Sequence, residues 1–260
     1  MTPAPTSTAL STLLATLLLL AAGCGDKEGT DCTAAPDDTD ADTDADADTD
    51  TDTDADGDAD ADADTDADAD PDLCGGYSGI RGVGSAWSWE YTGAISGYQN
   101  SRVSSINGAT VEMVVDSQIT SGDYTTTYDM RTSYRCDTQG LWYTRNVADY
   151  HTVGPSYDYA GTTTSTYSGY LVTPANPTVG DSWNNNVSGT TLDGASGETT
   201  TYTFATSGRI TAEETVTVPA GTYTALRTTL TTDGNVSTSW IAPAVGGVKA
   251  DSTVLTSYTP

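Results

Sequence analysis

A single histidine, His151, bounds the chemistry open to this chain before any fold is considered. Zinc sites draw on closely spaced Cys and His, and a zinc protease needs His-Glu-x-x-His; the sequence has neither pattern. A serine hydrolase would combine His151 with a serine and an aspartate. No Gly-x-Ser-x-Gly elbow accompanies it, and the run ADYHTVGP (148–155) places His151 in a loop between strands, where a solvated imidazole is expected. Glu90, Glu112, Glu198, Glu213 and Glu214 are the acids available for a glycosidase pair. Of these, the adjacent Glu213 and Glu214 would point to opposite faces of a strand and so would not cooperate. The glycines are dispersed through turns rather than gathered into a phosphate loop. The sequence therefore predicts a protein that is not an enzyme, with no cofactor and no protein-held metal.

The other reactive residues are four cysteines at 24, 32, 74 and 136. Leu10 to Ala22 form an apolar run of about 13 residues, a length suited to a signal-peptide core and short of the ~20 that a spanning helix needs. The run closes in LAAGC, which resembles the bacterial lipobox. That resemblance implies a signal peptide over 1–23, diacylglyceryl transfer to the thiol of Cys24, and a mature protein held at an outer membrane or cell surface by its acyl chains. In an oxidising compartment the remaining thiols tend to pair. Cys74 with Cys136 is the favoured disulfide, with Cys32 left over or competing.

The charge is concentrated at one place. Residues 26–72 hold 22 of the 37 acids behind the net charge of −28, while 73–260 carry 15 acids against eight Lys and Arg. Such a balance repels phosphate backbones, so no nucleic-acid partner is expected. From Asp38 to Asp72 every second residue is Asp, interleaved with Ala and Thr and broken by Gly57 and Pro71. A strand with that pattern would present one face of like charges and another of small residues. The period of two therefore predicts a disordered, self-repelling tether over 24–72 instead of a sheet. Asp52, Asp54 and Asp56 followed by Gly57 resemble the first half of an EF-hand loop, a weak calcium candidate because Ala63 stands where the bidentate Glu belongs. Loose condensation of divalent cations along the tether is expected as a property of the polymer.

After the tether, residues 73–260 change to short runs rich in Val, Ile, Thr, Tyr and Trp, punctuated by Gly, Asn, Asp and Pro. Strands are expected at 86–91, 110–119, 124–136, 141–147, 200–207, 214–218, 222–232, 237–242 and 252–259. Trp87, Trp89 and Tyr91 should share one face, as should Val216 and Val218. One buried and one wet face per strand implies an all-β domain of antiparallel sheets, either a curved half-barrel or a sandwich. VGSAW (83–87) and VGDSW (179–183) echo each other, so the domain has the outline of two related halves, 80–170 and 171–260.

Toward the C-terminal side, PANPTVGDSW (174–183), ETVTVPAGTYTAL (214–226) and SWIAPAVGGVKADS (239–252) carry a resemblance to extracytoplasmic bacterial lipoproteins. Their domains, of unknown function, are β half-barrels similar in shape to Lol-type lipoprotein carriers. The resemblance implies a fold and an address and brings no catalytic residues. In their own right these motifs read as turns. Ala220-Gly221 would form a tight hairpin after Pro219, and Pro243 with Gly246-Gly247 would redirect the chain and leave Lys249 in solvent. The expected function is a membrane-anchored module for binding or structure. A carrier of an apolar ligand is the alternative and a hydrolase the third choice.

Overall fold

The computed structural model describes residues 78–260. Cys24, Cys32, Cys74, the signal segment, the acidic tether and Asp52, Asp54 and Asp56 lie outside the described residues. Thirteen antiparallel strands account for nearly all of what is described. They are β1 (Ala86–Tyr91), β2 (Ser96–Asn107), β3 (Thr110–Ser121), β4 (Tyr124–Asp137), β5 (Gly140–Gly154), β6 (Tyr157–Ser168) and β7 (Leu171–Pro174). They continue with β8 (Ser182–Asp193), β9 (Thr199–Val218), β10 (Gly221–Thr232), β11 (Asn235–Ala242), β12 (Gly246–Ala250) and β13 (Thr253–Thr259).

The curved antiparallel sheet expected from the sequence is present and closes on itself. Neighbours run from β1 through β6, pass from β6 to β8, continue to β13, and return to β1 through the pairs Ala86↔Thr259 and Tyr91↔Thr253. The short β7 flanks β5 beside its first residues, from Gly140↔Pro174 to Trp142↔Leu171. Twelve strands thus form an up-and-down barrel, and closure removes the unpaired edges that a half-barrel would expose.

The alternation of each strand sorts side chains between lumen and solvent. In β8, Trp183, Asn185 and Val187 are buried, while Ser182, Asn184, Asn186, Ser188 and Thr190 are exposed. The outward positions of β4 carry Thr127, Asp129, Arg131 and Arg135. This polar exterior is the inverse of a lipid-spanning barrel, whose outward band must be apolar. Among the described residues, no helix is long and apolar enough to cross a membrane. The main core takes Val103, Val111, Tyr134, Tyr143, Val187 and Leu255 from strands all around the ring. Val216 and Val218 join it, as does Trp87, with Trp89 packed against it.

The two Gly-x-x-Trp segments have matching geometry. Gly84 and Gly180 adopt φ of 103° and 104°, a region that favours glycine. Each donates to a carbonyl of the next long strand, Gly84 N to Val103 O at 2.9 Å and Gly180 N to Ile210 O at 3.0 Å. Those residues donate back, Val103 N to Ser85 O and Ile210 N to Asp181 O, both at 2.9 Å. One residue further on, β2 and β9 each carry a bulge, at Ser104 and Thr211. β1–β6 and β8–β13 are two runs of six consecutive strands, joined by the pairs β6–β8 and β13–β1.

Several buried aromatic rings lie over glycines on the neighbouring strand. Trp183 pairs directly with Gly208, Tyr202 with Gly189 and Tyr150 with Gly161, and in each case a Cβ on the glycine would run into the ring. These glycines are seats for rings, a cross-strand use distinct from their role in turns.

Candidate functional site

Residues singled out in the sequence do not converge. His151 is inside β5 instead of a loop, because the ladder to β4 continues through Thr127↔His151 as far as Thr125↔Val153. It faces outward, and its Nε2 lies 2.7 Å from Asp158 Oδ1 with both side chains largely exposed. Glu214 accepts a hydrogen bond from Trp240 Nε1, and Lys249 Nζ sits 4.7 Å from the centre of that same ring, so the lysine expected in open solvent packs on an aromatic face. Cys136 is buried in β4 and is disulfide-bonded, its partner lying outside the described residues. Among those residues, no group of three or more His, Cys, Asp or Glu is placed to hold a metal ion.

The C-terminal motif is architectural. Ala244 (φ 66°) and Gly246 (φ 86°) turn the chain between β11 and β12, and a Cβ at Gly246 would strike the Ser78 carbonyl. Tyr258 donates to Gly79 O at 2.8 Å or to Ala244 O at 3.0 Å, and Trp87 Nε1 donates to Val245 O at 2.7 Å. The motif therefore clasps the segment that leads into β1, at one pole of the barrel. At the β9–β10 turn, Tyr223 donates to Ala220 O at 3.0 Å and fixes the hairpin that the sequence predicted.

A different arrangement occupies the opposite pole, where the turns β1–β2, β3–β4, β5–β6 and β8–β9 lie. The last residue of β8 paired to β6, Asp193, stands opposite Thr163, so residues 157–162 rise past β8 as a lip. Tyrosines line its inner side in an unbroken series. Ring centroids are 6.4 Å apart from Tyr124 to Tyr157, 6.2 Å from Tyr157 to Tyr159, 5.9 Å from Tyr159 to Tyr150, and 6.3 Å from Tyr150 to Tyr128. Tyr124 lies against Gly154, so the first ring of the series also uses a glycine seat. Between the rings, Thr126 and Thr152 share a hydrogen bond of 2.9 Å.

Inward-facing side chains are more exposed at this pole than in the middle of the barrel. Inward-facing Thr126, Thr152, Tyr157, Tyr159, Thr191 and Ser237 are half-buried, whereas inward-facing Thr132, Asn146, Ser165, Val187 and Thr206 farther down are buried. The floor of the mouth is a small core of Val115, Tyr128, Met130, Ala148 and Tyr150. Below it runs a polar row across β4, β5 and β6, paired as Thr132↔Asn146↔Ser165. Thr132 Oγ1 and Asn146 Oδ1 have no hydrogen-bond partner in that row, nor do Ser117 Oγ and Thr163 Oγ1, which the ladder sets opposite Tyr128 and Ala148. Buried polar atoms left so cost about 1–3 kcal/mol each, which marks this band as unfinished by the protein alone.

The buried phenols of Tyr91, Tyr128 and Tyr150 are held in the neutral, donating form. Burial, with the neighbouring Tyr128, pushes Tyr91 up to about 12, and burial raises Tyr128 and Tyr150 as well. Asp193 is held below the usual carboxylate range by the amide of Ser196, its hydroxyl and the amide of Ala195. The mouth therefore offers aromatic faces, hydroxyls and one carboxylate largely committed to its own turn. Comparison with protein families, curated proteins and solved structures finds no match, so the motif resemblance stands on its residues alone.

Proposed function

We propose that this protein is an exported, lipid-anchored binding module, held through Cys24 and presenting the tyrosine-lined mouth of its barrel to the extracytoplasmic space. The observation that carries this reading is the opposition of the two poles. Ser78, through which the chain continues toward Cys24, lies at the clasped pole, while Tyr124, Tyr157 and Tyr159 lie at the open one. Binding sites of barrels favour such mouths, where an apolar wall is interrupted by a few polar groups. Binding is favoured over catalysis because burial keeps Tyr128 and Tyr150 protonated and His151 faces away from the mouth. The carrier alternative draws on the same rings. It gains less support, because side chains from every strand fill the barrel below the mouth.

Fractionation of cells expressing the wild type and Cys24→Ala tests the anchor. The wild type should sediment with membranes and yield an acylated N-terminal peptide at Cys24, and the variant should not. Identical membrane partition and an identical mature N-terminus in both would refute the anchor.

A further inference from the structure

We infer that the mouth binds neutral carbohydrate, with sugar rings stacked on Tyr124, Tyr157 and Tyr159 and sugar hydroxyls bonded to the threonine hydroxyls between them. This inference rests on the binding-module reading and adds the ligand class. Two observations combine. The rings follow one another at 5.9–6.4 Å along the inner wall, and Tyr124 is half exposed, so an extended guest would meet several faces in turn. Hydroxyls alternate with those faces, notably the Thr126–Thr152 pair.

The chemistry of the guest follows by elimination among charges. No Lys or Arg is among the inward-facing residues described for the mouth, so an anion would lose its hydration without a countercharge. An organic cation would find aromatic faces but only one carboxylate near them, Asp193 beside Tyr150, and choline is therefore the competing guest in the test. Asp193 spends Oδ1 on Ala195 N, Ser196 N and the Ser196 hydroxyl. An acyl chain would strip water from Thr126, Thr152 and the phenols and return nothing to them. A pyranose has apolar C–H faces to match the rings and hydroxyl edges to match the threonines. It satisfies both kinds of surface at once.

Isothermal titration of the full chain in detergent with maltohexaose, cellohexaose and chitohexaose tests the inference, with choline and palmitate as the competing chemistries. At least one hexaose should bind at one site. Tyr124→Ala and Tyr157→Ala should each weaken it tenfold or more. Tyr157→Phe, which keeps the ring, should stay within about threefold, and Tyr98→Ala on the outer face should leave binding unchanged. Circular dichroism melts establish that each variant is folded. Binding of palmitate or choline that depends on Tyr157, with no hexaose bound, would overturn the carbohydrate assignment and keep the mouth. Absence of any Tyr157-dependent binding would overturn both.

Discussion

Gly208→Ala is the sharpest test of the idea that glycines in these strands are seats for rings. In an ordinary strand the added methyl would stabilise by about 0.5–1 kcal/mol, because glycine loses the most conformational freedom on folding. At Gly208 the new Cβ would meet Cζ2, Cε2 and Cη2 of Trp183, the residue directly across the ladder. Trp183 is 9% exposed and packs with Leu171, Ile210 and Leu226, so the ring has no free direction in which to retreat. Overpacking of this kind costs about 1–3 kcal/mol, which outweighs the strand preference and leaves a net loss of about 0.5–2 kcal/mol. Gly82 provides the control. Its Cβ would meet nothing within 4 Å, so Gly82→Ala should be neutral or slightly stabilising. Urea unfolding followed by tryptophan fluorescence gives both midpoints, and an unchanged slope would show that stability alone moved. Gly208→Ala as stable as the wild type would refute the seat.

Asp116, Asp129 and Asp149 stand directly opposite one another across β3, β4 and β5 on the outer face; like charges so placed are destabilising, so Asp129→Asn should raise the melting temperature at low salt by a degree or more, and a fall would show that the carboxylate is needed. Burial pushes Tyr134 as well as Tyr91 up to about 12. Because these folded-state values lie above the unfolded value near 10, the stabilisation is complete below pH 10 and is lost between pH 10 and 12, at about 2–3 kcal/mol per tyrosine; melting temperatures that stay flat across that window would contradict it. Peptide mapping without reduction should recover Cys136 joined to Cys74, and Cys74→Ser should lower stability by about 4 kcal/mol for a loop of about 60 residues; a Cys32–Cys136 peptide would reassign the pair.

The legible parts of the fold are those whose inward positions carry large apolar side chains. AWSWEY is β1 as read, and Tyr124 to Cys136 falls inside β4. β2, β6 and β8 escaped notice because their inward positions hold Ser101, Gly161, Thr163, Ser165, Asn185 and Gly189, residues that resemble loop composition. They are strands because rings from neighbours cover the small residues and because Ser165 and Thr191 hydrogen-bond each other at 2.8 Å. The expected strands 200–207 and 214–218 are one strand of 20 residues, β9, since the polar stretch around Arg209 and Glu213 faces solvent without breaking the ladder. Closure is set by pairing residues near 90 with residues near 255, and no local pattern encodes that. The mouth had the same fate. Each of Tyr124, Tyr128 and Tyr150 is visible in the sequence, but only register brings them into a series with Tyr157 and Tyr159.

The β1–β13 seam also governs when this protein can become itself. Its two strands are separated by more than 160 residues of chain, so the loop entropy of joining them must be overcome before their ladder gives anything back. Until Thr253–Thr259 has docked, the growing sheet has two unsatisfied edges, one of them β1 with its tryptophans. A partly synthesised chain is therefore a sticky, open ribbon. Productive folding waits for β13, which makes closure of the barrel a late, cooperative event.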